Sequence, residues 1–247
     1  VELFQTADGN NSVTIGTNAI SAGITTLEGG TGDDSFTMTT SIFESNSFNG
    51  GDGTDTIILS NSADGLDGIA DSGFTNVSSV EVLKTANGNN DITFGVRAAA
   101  AGISEVIGGT GNDRFDASDL TNGVTLDGGG RATTSDQLTG GSGADLFVLA
   151  QAGQNYYGTS TPAIGLNGSN YALLANFSDN DKLQLKLGET YTFGDRFSGG
   201  NRRANEFGLY DANGFVANIR TDGSITLSID GAQDAGFLAD TSKVQYV

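Results

Sequence analysis

A nine-residue pattern, Gly-Gly-x-Gly-x-Asp-x-U-x with U a large apolar residue, constrains this chain more than any other feature. It reads Gly29-Gly30-Thr31-Gly32-Asp33-Asp34-Ser35-Phe36-Thr37 in one copy and recurs at Gly50–Ile58, Gly108–Asp116 and Gly140–Val148. Glycines at positions 1, 2 and 4 let the backbone enter positive-φ regions and turn its carbonyl oxygens to one side. The aspartate at position 6 adds a carboxylate to the same concavity. Position 8 then starts a short strand, and the two-residue period sends that one apolar side chain away from its neighbours' face. No single unit of this kind buries an apolar face by itself, so the units must stack.

A second repeat encloses the first. Residues 1–37 and 80–116 align without a gap at an offset of 79, with 19 of 37 positions identical. Val1-Glu2 matches Val80-Glu81, Gly9-Asn10-Asn11 matches Gly88-Asn89-Asn90, and Gly29–Gly32 matches Gly108–Gly111. Because the match begins at residue 1, a longer repetitive parent is expected. Spacing between motif glycines suggests one glycine turn per rung on one edge and a looser connection on the other. Thr17–Gly23, Thr39–Asn46 and Val96–Gly102 are the expected loose edge, read as plain loops; Arg97–Ala101 could form a single helical turn, but its counterpart Thr17–Ala22 would not. Ser62–Ser72, with Asp64, Asp67 and Asp71, reads as an insertion, either a further cation loop or a solvated acidic loop.

Charge sharpens the argument. The net charge is −19 over 247 residues, and residues 1–150 hold 20 acids against Lys84, Arg97, Arg114 and Arg131 alone. Stacked rungs lie about 4.8 Å apart, where facing carboxylates repel by roughly 3 kcal/mol at an effective dielectric near 20. Several such pairs would rival the ~5–15 kcal/mol that holds a domain together. Either these acids point apart or cations sit between them, and the glycine turns favour cations. A hard cation such as Ca²⁺ takes six to eight oxygens, carboxylate and carbonyl alike. One turn offers about half of that shell and two stacked turns the whole.

The pattern resembles the calcium-binding nonapeptide of RTX (repeats-in-toxin) proteins. A later segment, Asn176-Phe177-Ser178-Asp179-Asn180-Asp181-Lys182-Leu183-Gln184-Leu185, is similar to the Asp-Phe-x-x-Gly-Asp-Lys-Leu-x-Leu stretch that follows the last repeat in many of them, with Asn180 in place of glycine. The resemblance implies an all-β fold: a right-handed parallel β-roll or β-helix solenoid over residues 1–150, then a β-rich cap over 151–247. It also implies Ca²⁺ as cofactor, held by side chain at Asp34, Asp55, Asp113, Asp136 and Asp145. Backbone carbonyls of Gly29, Thr31, Gly32, Gly50, Gly51, Asp52, Gly53, Gly108, Thr110, Gly111, Gly140, Ser142 and Gly143 would complete the shells. Asn87 and Asn90 belong to asparagine-bearing turns, which read either as weaker sites in which an amide oxygen ligates without charge or as purely structural asparagine turns. In the interrupted motif Gly128–Leu138, Arg131 stands where a small residue is expected, which counts against a full site.

Other classes find little support. There is no histidine and no cysteine, which removes the usual general base, the Ser-His-Asp triad, disulfides and thiolate metal sites. Acid pairs such as Asp33-Asp34 sit inside the turn motif rather than in any pocket-like setting, so no enzyme is expected. Nucleic acid is a poor partner for the acidic half, and no apolar run approaches a membrane span. The expected role is a secreted, extracellular calcium-binding module that folds where calcium is plentiful and is exported by type I secretion machinery. The alternative is a structural or adhesive module that binds extracellular polysaccharide or a cell surface, with Arg196, Arg202, Arg203 and Tyr156-Tyr157 as first contacts.

Overall fold

Each glycine turn feeds a short strand, and that strand pairs in parallel with its counterpart one rung away. The structure, a computed structural model, describes residues 2–64, 68–130, 135–151, 154–157, 171–194, 205–211, 214–222 and 242–247. Among these residues the chain is mostly β, arranged in parallel sheets. One sheet holds β1 (Glu2–Gln5), β3 (Ile24–Glu28), β5 (Ser47–Asn49) and β7 (Val77–Ser78). A nine-stranded sheet runs through β2 (Ser12–Thr14), β4 (Ser35–Met38), β6 (Thr56–Leu59), β8 (Val82–Lys84), β10 (Glu105–Ile107), β12 (Thr125–Asp127), β14 (Leu146–Val148), β18 (Lys182–Leu185) and β22 (Val244–Tyr246). A third joins β9 (Asp91–Thr93), β11 (Arg114–Asp116), β13 (Ser135–Thr139), β17 (Tyr171–Phe177) and β21 (Gly214–Thr221), and ends in antiparallel β20 (Glu206–Asp211) and β19 (Thr192–Gly194). A small hairpin pairs β15 (Ala150–Gln151) with β16 (Gln154–Asn155).

The register puts the position-8 residues in line. Val13 pairs with Phe36 and Phe36 with Ile57, while Ile92 pairs with Phe115 and Phe115 with Leu138. All but Val13 are fully buried. Beside them runs an aromatic file in which Phe43 meets Phe74 at 5.3 Å, Phe74 meets Phe94 at 5.6 Å and Phe94 meets Phe115 at 6.3 Å. Pairs at such distances add about 0.5–1.5 kcal/mol each beyond their area burial.

The loose edge is helical, which corrects the expectation of plain loops. α1 (Thr17–Ser21), α2 (Thr40–Ser45) and α3 (Val96–Ala101) occupy the three stretches. A loop would have to bury Ile42 and Phe43, or Ala98 and Ala101, with their backbone amides unpaired, whereas a helical turn bonds them internally. Thr39 caps α2 through its hydroxyl, and Gly102, at φ 103°, ends α3. The acidic insertion is a rung too: Ala63, Ile69 and Phe74 enter the core, and Ile69 bridges to Ile92. Asp71 begins a 3-10 turn (Asp71–Phe74) and accepts the amides of Gly95 at 2.8 Å and Ala98 at 3.0 Å. Asp67 lies outside the described residues.

That rung shifts the phase of the stack. β1 and β8 are equivalent in the duplication, yet β1 lies in the four-stranded sheet while β8 pairs with β6 in the nine-stranded one. Glycine turns therefore run along two edges of the molecule rather than one. Beyond residue 150 the sheets continue, β14 pairing with β18 and β13 with β17. The arginines 196, 202 and 203 lie outside the described residues. Among the described residues, no helix is long and apolar enough to cross a membrane.

Candidate metal centres

The residues of interest stand directly before strands. Asn11, Asp34, Asp55, Glu81, Asp145 and Asp181 precede β2, β4, β6, β8, β14 and β18, so the parallel register stacks them along one edge of the nine-stranded sheet. Ser104 and Val124 hold the two levels between Glu81 and Asp145. A second row along the edge of the third sheet holds Asn90, Asp113 and Asp136, the last level with Asp113 because Arg114 pairs with Gln137.

One oxygen of each acid joins two rungs. Asp34 Oδ1 accepts the Asn11 amide at 2.7 Å, Asp55 Oδ1 the Asp34 amide at 2.7 Å, and Glu81 Oε2 the Asp55 amide at 2.8 Å. Asp136 Oδ1 accepts from Asp113 N at 2.8 Å, Asp145 Oδ1 from Val124 N at 2.9 Å, and Asp181 Oδ1 from Asp145 N at 2.8 Å. The five aspartates singled out in the sequence, and Asp181 with them, are no more than 1 % exposed.

The second oxygen separates the sites. Asp34 Oδ2 accepts the Gly30 amide, Asp145 Oδ2 the Gly141 amide and Asp181 Oδ2 the Ser178 amide. Asp136 Oδ2 accepts the Tyr157 hydroxyl at 2.5 Å, and that ring fills the space against Gly130, where a methyl group would collide with it. Asp55 Oδ2 and Asp113 Oδ2 are buried with no hydrogen-bond partner. An unsatisfied buried acceptor costs about 1–3 kcal/mol, and more when charged.

The asparagine turns explain the contrast, and at Asn90 they favour the structural reading of the turn over ligation by the amide oxygen. Asn90 Oδ1 is taken by the Ala63 amide at 3.0 Å, so its Nδ2 faces inward and donates to Ala86 O at 3.0 Å, Gly88 O at 2.8 Å and Asp113 Oδ1 at 2.7 Å. Asn11 does the same toward Ala7 O, Gly9 O and Asp34 Oδ1. An amide NH₂ with a partial positive charge thus gathers carbonyl and carboxylate oxygens in one place. Asn87 Oδ1 is likewise occupied by the Thr110 amide. Asn176, in the left-handed region at φ 60°, donates its Nδ2 to Gly140 O and Gly141 O. At Asp55 and Asp113 the same turn position offers an oxygen and no proton.

Among the other residues singled out, the turns 29–34 and 50–55 stack on one another. Thr31 bridges to Asp52, Gly32 donates to Asp52 O at 2.7 Å, and Asp52 donates to Gly30 O at 3.0 Å. Thr110 O accepts from Gly88 N at 2.6 Å, and Ser142 donates to Leu120 O at 2.9 Å. Each of these carbonyls retains a second lone pair. The fourth glycine of the turns holds positive φ at Gly32, Gly53 and Gly111. A methyl group on Gly50 would run into Ser79 O and Asp55 Oδ2, which is why this rung seats only with glycine. Gly29, Gly51, Gly108 and Gly143 make similar approaches to the neighbouring backbone, and Gly140 to the side chains of Asp145 and Phe147.

Burial raises the carboxyl pKa values of Asp55, Asp113, Asp136, Asp145 and Asp181. Desolvation, with Asp136 nearby, pushes Asp113 up to about 7, and Asp136 also rises to about 7. Asp145 and Asp127 rise to about 6. Asp55 is raised by burial and by the charges of Asp34, Glu81 and Asp33. Among the described residues no three acidic, histidine or cysteine side chains converge in a chelating cluster. A cation here would depend chiefly on carbonyl oxygens, with one or two carboxylates. The motif missed Glu81, Asp181 and Tyr157. An acid directly before a short apolar strand would have flagged the first two, and nothing local flags Tyr157.

No protein-family model matches the chain, and no curated protein matches it.

Proposed function

We propose that this chain is a calcium-stapled parallel β-roll of the RTX kind, a right-handed solenoid that serves as the folding and stabilising module of a secreted protein. The observation that carries the proposal is the pair of buried, donor-less oxygens, Asp55 Oδ2 and Asp113 Oδ2, in turns where asparagine places an NH₂. Asp113 and Asp136 would hold one ion, and Asp55 with Asp34 another, together with carbonyls of the glycine turns. Bound calcium supplies the positive charge and open coordination that these oxygens lack. The residues do the rest: the glycines admit the close approach of rungs, and the carboxylates carry the amide bonds between them. At low calcium the ionised rows oppose stacking, and at extracellular calcium they support it, so metal binding would appear as folding free energy. The strands after residue 170 would close the stack and cover its last edges.

Calorimetric titration with Ca²⁺, alongside far-UV circular dichroism in calcium and in EGTA, tests this reading. We expect heat of binding, a gain of β signal with calcium, and a smaller response in Asp113→Ala. An unchanged spectrum and melting temperature in excess EGTA would end the proposal. Of the tyrosine pair named for the adhesive alternative, Tyr157 is buried with its hydroxyl on Asp136, and Tyr156 is half-buried with its hydroxyl on Asp127.

A further inference from the structure

The duplication allows one half of the molecule to be compared with the other, and the two differ in what covers their first rung. Leu3 is 53 % and Phe4 37 % exposed, whereas their equivalents Val82 and Leu83 are 7 % and 0 % exposed. Ala22 is exposed and Val13, Ala19 and Ile24 half-buried, while the equivalents Ala101, Ile92, Ala98 and Ile103 are buried. Phe4, Val13, Ile15, Ala19, Ile24 and Leu27 line an apolar hollow at this end. β1 and β2 are the outermost strands of their sheets.

In the second half, residues 56–74 provide the cover. β6 pairs along β8, Ile69 bridges to Ile92, and Phe74 packs on Phe94. The Ala63 amide fills Asn90 Oδ1, and Asp71 takes the amides that open α3. Among the described residues, the first half presents the same receptors: an unpaired edge on β1 and β2, Val13 and Ile15 beneath them, Asn11, and an α1 without a side-chain cap.

We infer that the end formed by β1, β2 and α1 is an interaction surface for one further rung of this same repeat, with the chemistry of residues 56–78. The occupant supplies a parallel apolar strand against β1, an aliphatic residue over Val13, an aromatic ring over Ile15 and an aspartate at the start of α1. Identical receptors in one molecule, already seated in one case, define what fits the other. This inference needs no metal and stands apart from the calcium reading.

The test appends a second copy of residues 56–79 directly before Val1, which reproduces the Ser79–Val80 junction as Ser79–Val1. Amide hydrogen exchange, sedimentation and thermal melting are then compared with the original chain in calcium buffer. Exchange in β1 and β2 should slow by about tenfold or more, and the melting midpoint should rise. Phe4→Asp should lower the extended chain's midpoint by more than the original chain's, and so abolish the gain from extension. Unchanged exchange in β1 and β2 upon extension would overturn the inference. So would an original chain that sediments as a dimer with β1 and β2 already protected, because a second copy would then be the occupant.

Discussion

Replacing Asp113 with asparagine changes one oxygen to an NH₂ at a position where the equivalent Asn90 already makes three good bonds. Burial lifts the Asp113 carboxyl from an ordinary value near 3.8 to about 7. At 1.36 kcal/mol per pH unit, an ionised Asp113 costs the metal-free fold about 4 kcal/mol, an upper bound that relaxation will reduce to about 2–4. The sign follows from proton uptake. Between pH 3.8 and 7 the folded chain binds more proton than the unfolded one, so stability falls as pH rises through this window and is flat below it. Asp113→Asn removes that slope. Urea denaturation in EGTA should therefore find the variant more stable than the parent by about 2–4 kcal/mol at pH 8 and nearly equal to it at pH 4. In calcium at pH 8 the gap should close, since only the parent recovers an oxygen ligand. A variant less stable than the parent at pH 8 in EGTA, or a difference of the same size at both pH values, would refute the reasoning.

Further outcomes follow from the same geometry. Tyr157→Phe strips the hydroxyl from Asp136 Oδ2 and should cost about 1–3 kcal/mol by chemical denaturation at pH 8, with less loss at pH 4 where the carboxyl is protonated. Asp71→Ala removes the acceptor for the Gly95 and Ala98 amides and should cost about 1–2 kcal/mol at neutral pH. Those amide bonds hold the Asp71 carboxyl below its ordinary value, so its contribution is full above pH 3.8 and disappears as pH falls through the lower folded value. Comparing denaturation of Asp71→Ala and parent at pH 7 and pH 2.5 reads that loss. Gly50→Ala should prevent the second rung from seating and lower the melting temperature more than Gly188→Ala, where the added methyl meets no neighbour.

Local pattern and stacked neighbours divided the work unequally. The glycine turns, the apolar position 8 and the duplication were legible in the sequence because each is a short-range rule: positive φ needs glycine, a strand alternates, and a rung unable to bury its own apolar residue must repeat. The carboxylates of Asp34, Asp55, Asp113, Asp136 and Asp145 were legible for the same reason. Only the tertiary structure decided that β8 continues the sheet of β2, β4 and β6, because that depends on how far residues 60–79 carry the chain around the core. Only it placed Tyr157 on Asp136, and only it turned the Asn90 nitrogen inward, since the Ala63 amide that fixes that rotamer comes from another rung. A motif states which atoms a turn can offer, whereas the neighbouring rung determines which of them are already taken.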